Sequence, residues 1–145
     1  MPILNYTTKV DVYTTIGQIQ RNLVDHGAKK ILQEYDDQGQ ITALSFMIDT
    51  LTGTRAIRLP ADVEAVQNVL ANQKVKADRK QAERVAWRIV KDWVEAQMAI
   101  LEAQMVTMDQ IFLPYMLDST GRKTLYEAFC EKKLMIGEGC GVYDA

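Results

Sequence analysis

Histidine, cysteine and proline are all scarce in this chain: one His, two Cys and three Pro in 145 residues. The single histidine, His26, has no serine or cysteine nucleophile motif beside it, so no hydrolytic triad is indicated. It stands just before Gly27 at the end of a predicted helix, where an imidazolium complements the negative end of the helix dipole. Cys130 and Cys140 match neither a CxxC redox pair nor a zinc-ligand spacing. No metal, no cofactor and no disulfide framework is expected. Long apolar runs are also missing, because nothing approaches the roughly 18 residues of a membrane span. The opening Met1-Pro2-Ile3-Leu4-Asn5-Tyr6 lacks the charged-then-apolar pattern of a signal peptide, and the expected location is the cytoplasm.

Apolar residues make up 48% and charged residues 25%, which places the chain among ordinary globular proteins. Its length suits one domain with its own core. The net charge of −2 conceals a segregation. Residues 1–73 carry six bases and eight acids, residues 74–91 seven bases and two acids, and residues 92–145 four bases and nine acids. A short basic island therefore separates two acidic parts.

The period-2 pattern and β-branched content of Tyr6 to Tyr13 predict a strand. Thr15 with Gln18 forms a capping box, and Ile16, Ile19 and Leu23 recur at helical spacing until Gly27, which predicts a helix over 16–26. Ala28 to Tyr35, Gln40 to Thr50 and Thr54 to Leu59 predict an antiparallel meander, broken by turn chemistry at Asp36-Asp37-Gln38-Gly39 and Leu51-Thr52-Gly53. In its middle strand Thr42, Leu44, Phe46, Ile48 and Thr50 are expected to face the helices. Ile41, Ala43, Ser45, Met47 and Asp49 are expected on a partly exposed opposite face. Pro60, Asp62 and Glu64 open a helix that ends near Asn72.

From Arg79 to about Gln110 there is neither proline nor glycine, and two adjacent apolar stripes predict one long helix with Asp78 as its N-cap. One stripe contains Trp87, Val90, Val94, Met98, Leu101, Met105 and Met108; the other contains Ala82, Val85, Ala86, Ile89, Trp93, Ala96 and Ile100. A helix of about 45 Å exceeds the width of so small a domain. It is expected to project or to pack on a second copy, making a homo-oligomer. Pro114 is expected to end or kink it, residues 123–132 to form a short helix, and Gly137, Gly139 and Gly141 to lie in a flexible tail. The fold class is thus α+β, in the order β-α-β-β-β-α followed by a long C-terminal helix. The parts are a sheet subdomain (1–73), the long helix (74–117) and a short helix with tail (118–145), one domain overall.

For chemistry the motifs are thin. Asp36 and Asp37 sit in a turn that favours Asp for conformational reasons. Glu95 and Glu102 have no histidine to join them as metal ligands. Gly137-x-Gly139-x-Gly141 lacks both the strand-to-helix context and the Lys-Ser/Thr pair of a phosphate loop. The candidate binding residues are instead the basic island: Lys74, Lys76, Arg79, Lys80, Arg84, Arg88 and Lys91. Arg84, Arg88 and Lys91 share one helical face and are spaced to track phosphates, although such charges are also what a solvated helix face carries. Trp87 and Trp93 offer rings for stacking on bases, but both lie on the apolar stripes.

The order helix, three strands, helix across 16–72 resembles the double-stranded RNA-binding domain. Where those domains present lysines at the start of the second helix, this chain has Asp62 and Glu64. A second resemblance is carried by Gln81, Arg84, Trp87, Arg88, Lys91, Asp92, Trp93, Glu95 and Gln97, followed by Phe112, Leu113, Pro114, Tyr115 and Met116. With Tyr6-Thr7-Thr8, Gly27-Ala28, Tyr35-Asp36 and Leu59-Pro60, this pattern is similar to a family of small uncharacterised proteins encoded by bacteriophages, prophages and integrative elements of Gram-positive bacteria. That resemblance implies a non-enzymatic accessory protein in a bacterial host cell. It would act by binding, as an inhibitor of a defence protein or nuclease complex such as a CRISPR nuclease. The alternative is a protein of phage replication or recombination that binds DNA or RNA.

Overall fold

The computed structural model describes residues 1–132, so the glycine-rich segment at 137–141 lies outside the described residues. The architecture is α+β: a three-stranded antiparallel sheet, β1 (Lys30–Tyr35), β2 (Ile41–Thr50) and β3 (Gly53–Arg58), in the order β1-β2-β3. Around it lie α1 (Val12–Asp25), α2 (Val63–Asn72), α3 (Arg79–Glu102), α4 (Met108–Phe112) and α5 (Leu125–Lys132), with a 3-10 turn at Leu113–Tyr115.

No strand forms over residues 6–13. Asp11 caps α1 by accepting from the Tyr13 N–H, so the helix starts at Val12 and the expected Thr15/Gln18 box is not its cap. Asn5 takes a left-handed φ of 65°. The backbone ahead of the helix is satisfied by side chains rather than by a neighbouring strand: the Gln81 amide donates to the carbonyls of Tyr6 and Thr8, at 3.1 and 2.9 Å. Once those carbonyls are bound, the segment has no need of a ladder.

The other end of α1 follows the sequence. Gly27 has φ 105°, the Ala28 N–H reaches back to the Leu23 carbonyl and the Gly27 N–H to Val24, which together make a Schellman stop. The long helix α3 begins where expected, with the Asp78 carboxylate accepting from the Gln81 N–H at 2.9 Å. It ends early. Gln104 takes φ 60°, the Met105 N–H bonds the Ile100 carbonyl, and Thr107 with Gln110 then forms a complete capping box for α4. Met105, placed on the apolar stripe by its spacing, is 70% exposed as a result. Pro114 falls in the 3-10 turn and does not end the long helix.

The 24 residues of α3 run about 36 Å, and buried side chains line it from Ala82 to Met98. It packs against α1 and α2 of the same chain, which buries Trp87, Val90, Val94 and Met98, whereas Ile89, Trp93 and Ile100 are half-buried and Ala96 is exposed. The core joins Ile16, Ile19 and Leu23 of α1, Leu44, Phe46 and Ile48 of β2, Ile57 of β3, and Trp87, Val90, Val94 and Met98 of α3. Phe112 closes it edge-to-face on Phe46 at 5.5 Å, and Trp93 stands edge-to-face on Phe112 at 5.8 Å. Leu44, Phe46 and Ile48 face the helices as their alternation requires. Ile41 does so too, against expectation, because a register shift between Glu34 and Tyr35 breaks the alternation and leaves Thr42 exposed.

Candidate binding surfaces

The structure divides the basic island in two. The three residues whose spacing suggested a phosphate track are held within the chain. Arg84 donates twice to the Gln81 side chain, at 2.9 and 2.6 Å. Arg88 reaches across to α1, donating to Gln18 Oε1 at 2.6 Å and to the hydroxyl of fully buried Thr15 at 3.3 Å. Lys91 is only 14% exposed and pairs with Glu95 at 2.8 Å and Asp92 at 3.7 Å. Arg88 thus looks towards α1, Lys91 towards acids of its own helix and Arg84 towards Gln81.

The other four lie around the α3 N-terminus. Arg79 donates to Gln67 at 3.1 Å. Lys74, Lys76 and Lys80 are exposed, and among the described residues none of their side chains has a hydrogen bond or ion pair. Lys9, distant in sequence, lines the same shallow depression as Lys76. The cluster is not purely basic: Arg79 and Lys80 border a groove with Asp36, Asp37 and Glu83. Trp87 is fully buried and Trp93 packs on Phe112 and Tyr115, so neither ring is placed to stack on a base.

A surface with more specific chemistry lies on the sheet face turned away from α1 and α3. Alternation places Lys30, Leu32 and Glu34 of β1, Ala43, Ser45, Met47 and Asp49 of β2, and Thr54, Ala56 and Arg58 of β3 on that side. The rows across it are Lys30, Met47, Ala56 and, next to it, Leu32, Ser45, Arg58. Leu32 is 60% exposed although it stands in the middle of a strand. Beyond β3 the face is extended by Leu117, whose N–H donates to the Ala56 carbonyl at 2.8 Å. Leu32, Met47, Ala56 and Leu117 wall an apolar groove of about 300 Å³ with Ser45 in its lining.

Two buried polar atoms on this face have no partner among the described residues. Ser45 is 5% exposed and its Oγ makes no hydrogen bond; Arg58 Nε is buried and likewise unpaired. Arg58 reaches from β3 towards β1, where its Nη2 lies 3.5 Å from Glu34. Asp49, the other acid here, is engaged by Lys29 and Thr54, and the Lys29 hydrogen bond holds its carboxyl below the usual range. Lys30 alone among these charges has no counter-ion among the described residues. Buried polar groups without partners are rare in folded proteins, and each costs about 1–3 kcal/mol.

A larger cavity of about 760 Å³ opens between the 3-10 turn and α5, lined by Leu113, Pro114, Leu125 and Phe129 with the Lys123 to Glu131 ion pair beside them. None of the partnerless buried atoms belongs to its lining, so nothing in it specifies a ligand.

The sheet-face groove was half legible. Alternation marked Ser45 and Met47 for a partly exposed face; the contributions of Leu117 and Lys30 depend on strand neighbours that periodicity does not reveal. The chain matches no family model, no curated protein and no solved structure. The order helix, three strands, helix is present from α1 to α2, and Asp62 caps α2 by accepting from the Ala65 N–H at 3.0 Å.

Proposed function

We propose that this chain is a non-catalytic accessory protein of a phage or mobile element that binds a protein partner on the open face of its sheet. The partner class is a bacterial defence system, a CRISPR nuclease complex being the leading instance. The observation that carries the binding surface is the groove itself, an apolar depression on a sheet face with Leu32 60% exposed in its wall. Exposed apolar side chains gathered on one face with charged residues beside them are the ordinary anatomy of a protein interface. The genetic setting and the class of partner rest on the resemblance of Gln81 to Gln97 and Phe112 to Met116 to mobile-element proteins.

A second reading is favoured by one observation: Lys9, Lys74, Lys76 and Lys80 are exposed near the start of α3 and have no ion pair among the described residues. On this reading the chain binds nucleic acid of the element's own replication or recombination, through phosphates.

One set of variants separates the two. The purified chain is mixed with a reconstituted CRISPR nuclease complex and followed by size-exclusion chromatography and target cleavage. The expected outcome is a stoichiometric complex and slowed cleavage, both lost with Leu32→Glu and both kept with Lys76→Glu plus Lys80→Glu. In parallel, labelled DNA and RNA are titrated at about 50 and 200 mM salt, a range over which several phosphate contacts cost orders of magnitude in affinity. Binding that collapses with salt and vanishes with the lysine variants would replace the first reading by the second.

A further inference from the structure

β1 is an edge strand: β2 pairs with one side of it and, among the described residues, no strand lies on the other. The ladder fixes which of its backbone groups point outward. The Leu59 N–H donates to the Leu44 carbonyl at 3.0 Å, so Leu44 directs its backbone groups to β3 and the next residue, Ser45, directs its own to β1. Leu32 stands opposite Ser45 and is bonded there, which leaves Ile31 and Gln33 with N–H and C=O aimed out of the sheet. Neither has a backbone partner on that side among the described residues. A row of open donors and acceptors along an edge is a template for another strand. The usual guards are thin here: β1 contains no proline, its register shift comes only at its end, between Glu34 and Tyr35, and its central Leu32 is 60% exposed.

We infer that this edge pairs with β1 of a second copy of the chain, antiparallel about a twofold axis at Leu32. The strand, Lys-Ile-Leu-Gln-Glu-Tyr, is its own complement in that register. Lys30 faces Glu34 of the second copy, Leu32 faces its counterpart, and Ile31 faces Gln33. The outward groups of Ile31 and Gln33 then meet as hydrogen-bonded pairs. The charged and leucine pairs fall at the non-hydrogen-bonded positions, where opposed residues come closest, about 4.5 Å apart at Cα. Lys30 has no ion pair among the described residues, and Glu34 has Arg58 alone, at 3.5 Å, so each gains an opposite charge. Shifted by two residues in either direction, the pairing sets Leu32 against a charge; parallel and in register, it sets Lys30 against Lys30. The contact is isologous and closes at two copies. It uses the strand edge and leaves the face of the sheet open, so it goes beyond the partner reading above and does not depend on it.

The test uses the full chain alone, in sedimentation velocity. Two short strands make a small interface, so the expected result is a reversible monomer–dimer equilibrium with a Kd on the order of 100 µM, followed from about 5 µM to about 1 mM. Lys30→Glu sets carboxylate against carboxylate and Glu34→Lys sets ammonium against ammonium, and each variant alone should self-associate about tenfold more weakly or worse. Mixed in equal amounts, the two should form a heterodimer about as tight as the parent dimer, because every opposed charge pair is then a lysine and a glutamate. Hydrogen exchange of the parent gives a readout that needs no variant. The amides of Ile31 and Gln33 should gain protection as protein concentration rises, whereas that of Leu32, bonded within the sheet, should not change. A chain monomeric to about 1 mM, or exchange at Ile31 and Gln33 that ignores concentration, would overturn the inference. So would a dimer that neither charge variant weakens, which would assign self-association to another surface, or variants that fail to associate when mixed. Protection of these amides that arises only when a different protein is added would also overturn it, and would give the edge to a strand of that protein.

Discussion

Trp87 gives the sharpest test of how the core is held. The indole is fully buried, yet its Nε1–H has no acceptor among the described residues. Two opposing terms follow. Truncating a buried Trp to Ala removes transfer energy and leaves a cavity, at a cost of about 3–5 kcal/mol. An unpaired buried donor already costs about 1–3 kcal/mol, and this penalty disappears with the nitrogen. Trp87→Phe keeps an aromatic ring, loses roughly 35–40 Å³, and at about 24 cal/mol per Å³ opens a cavity worth about 1 kcal/mol. The two effects nearly cancel in Phe, whereas in Ala the cavity dominates. At about 2–4 °C per kcal/mol for a domain of this size, the expected result is a Tm within about 4 °C of the parent for Trp87→Phe. Trp87→Ala, at a net cost of about 2 kcal/mol once the relieved donor is subtracted, should fall by roughly 4–8 °C on the same scale. Calorimetry with urea titrations at one pH reads both. Equal, large losses in the two variants would refute the reasoning, because they would mean that the N–H has a partner worth keeping.

Arg88 is the second case, since its hydrogen bonds to Gln18 and Thr15 tie α3 to α1. Arg88→Ala is expected to lower stability by about 2–3 kcal/mol in urea titration, the scale of charge-assisted bonds plus a newly unpaired buried hydroxyl. An unchanged midpoint with altered ligand binding would return Arg88 to the functional set. Gln104 holds a left-handed φ of 60° at the end of α3, so Gln104→Gly should raise Tm by about 1–4 °C, and a fall would show that its side chain matters more than its backbone. Lys29 lowers the carboxyl pKa of Asp49. A depressed acid contributes stability that is complete above its unfolded value, about 4, and is lost as pH falls through the folded value. Lys29→Met should therefore be less stable than the parent at about pH 6 and converge on it towards about pH 2, measured as urea midpoints at the two values. A constant difference would assign the effect to packing.

Much of the fold could be read from spacing because the signals were local. Gly27 stops α1 through its own positive φ, Asp78 caps α3 through its own carboxylate, and Leu44, Phe46 and Ile48 turn to the helices by the pleat alone. The failures share a cause. Residues 6–13 have strand-like composition, but their carbonyls meet Gln81, 73 and more residues away. The stripe through Leu101, Met105 and Met108 continues past the point where Gln104 turns left-handed, and the Thr107 to Gln110 box was the local signal that outweighed it.

The candidate site divides along the same line. Sequence alone determined that the basic residues cluster between 74 and 91, that one side of β2 is apolar and the other mixed, and that Trp87 belongs to an apolar stripe, because charge order and periodicity are properties of neighbours along the chain. Only the tertiary structure decided that the side chains of Arg84, Arg88 and Lys91 have internal partners while those of Lys74, Lys76 and Lys80 have none among the described residues. It alone set Lys30, Leu32, Ser45, Ala56 and Leu117 side by side, because whether a polar group is satisfied depends on what distant strands and helices bring within hydrogen-bonding distance, and periodicity holds no record of that.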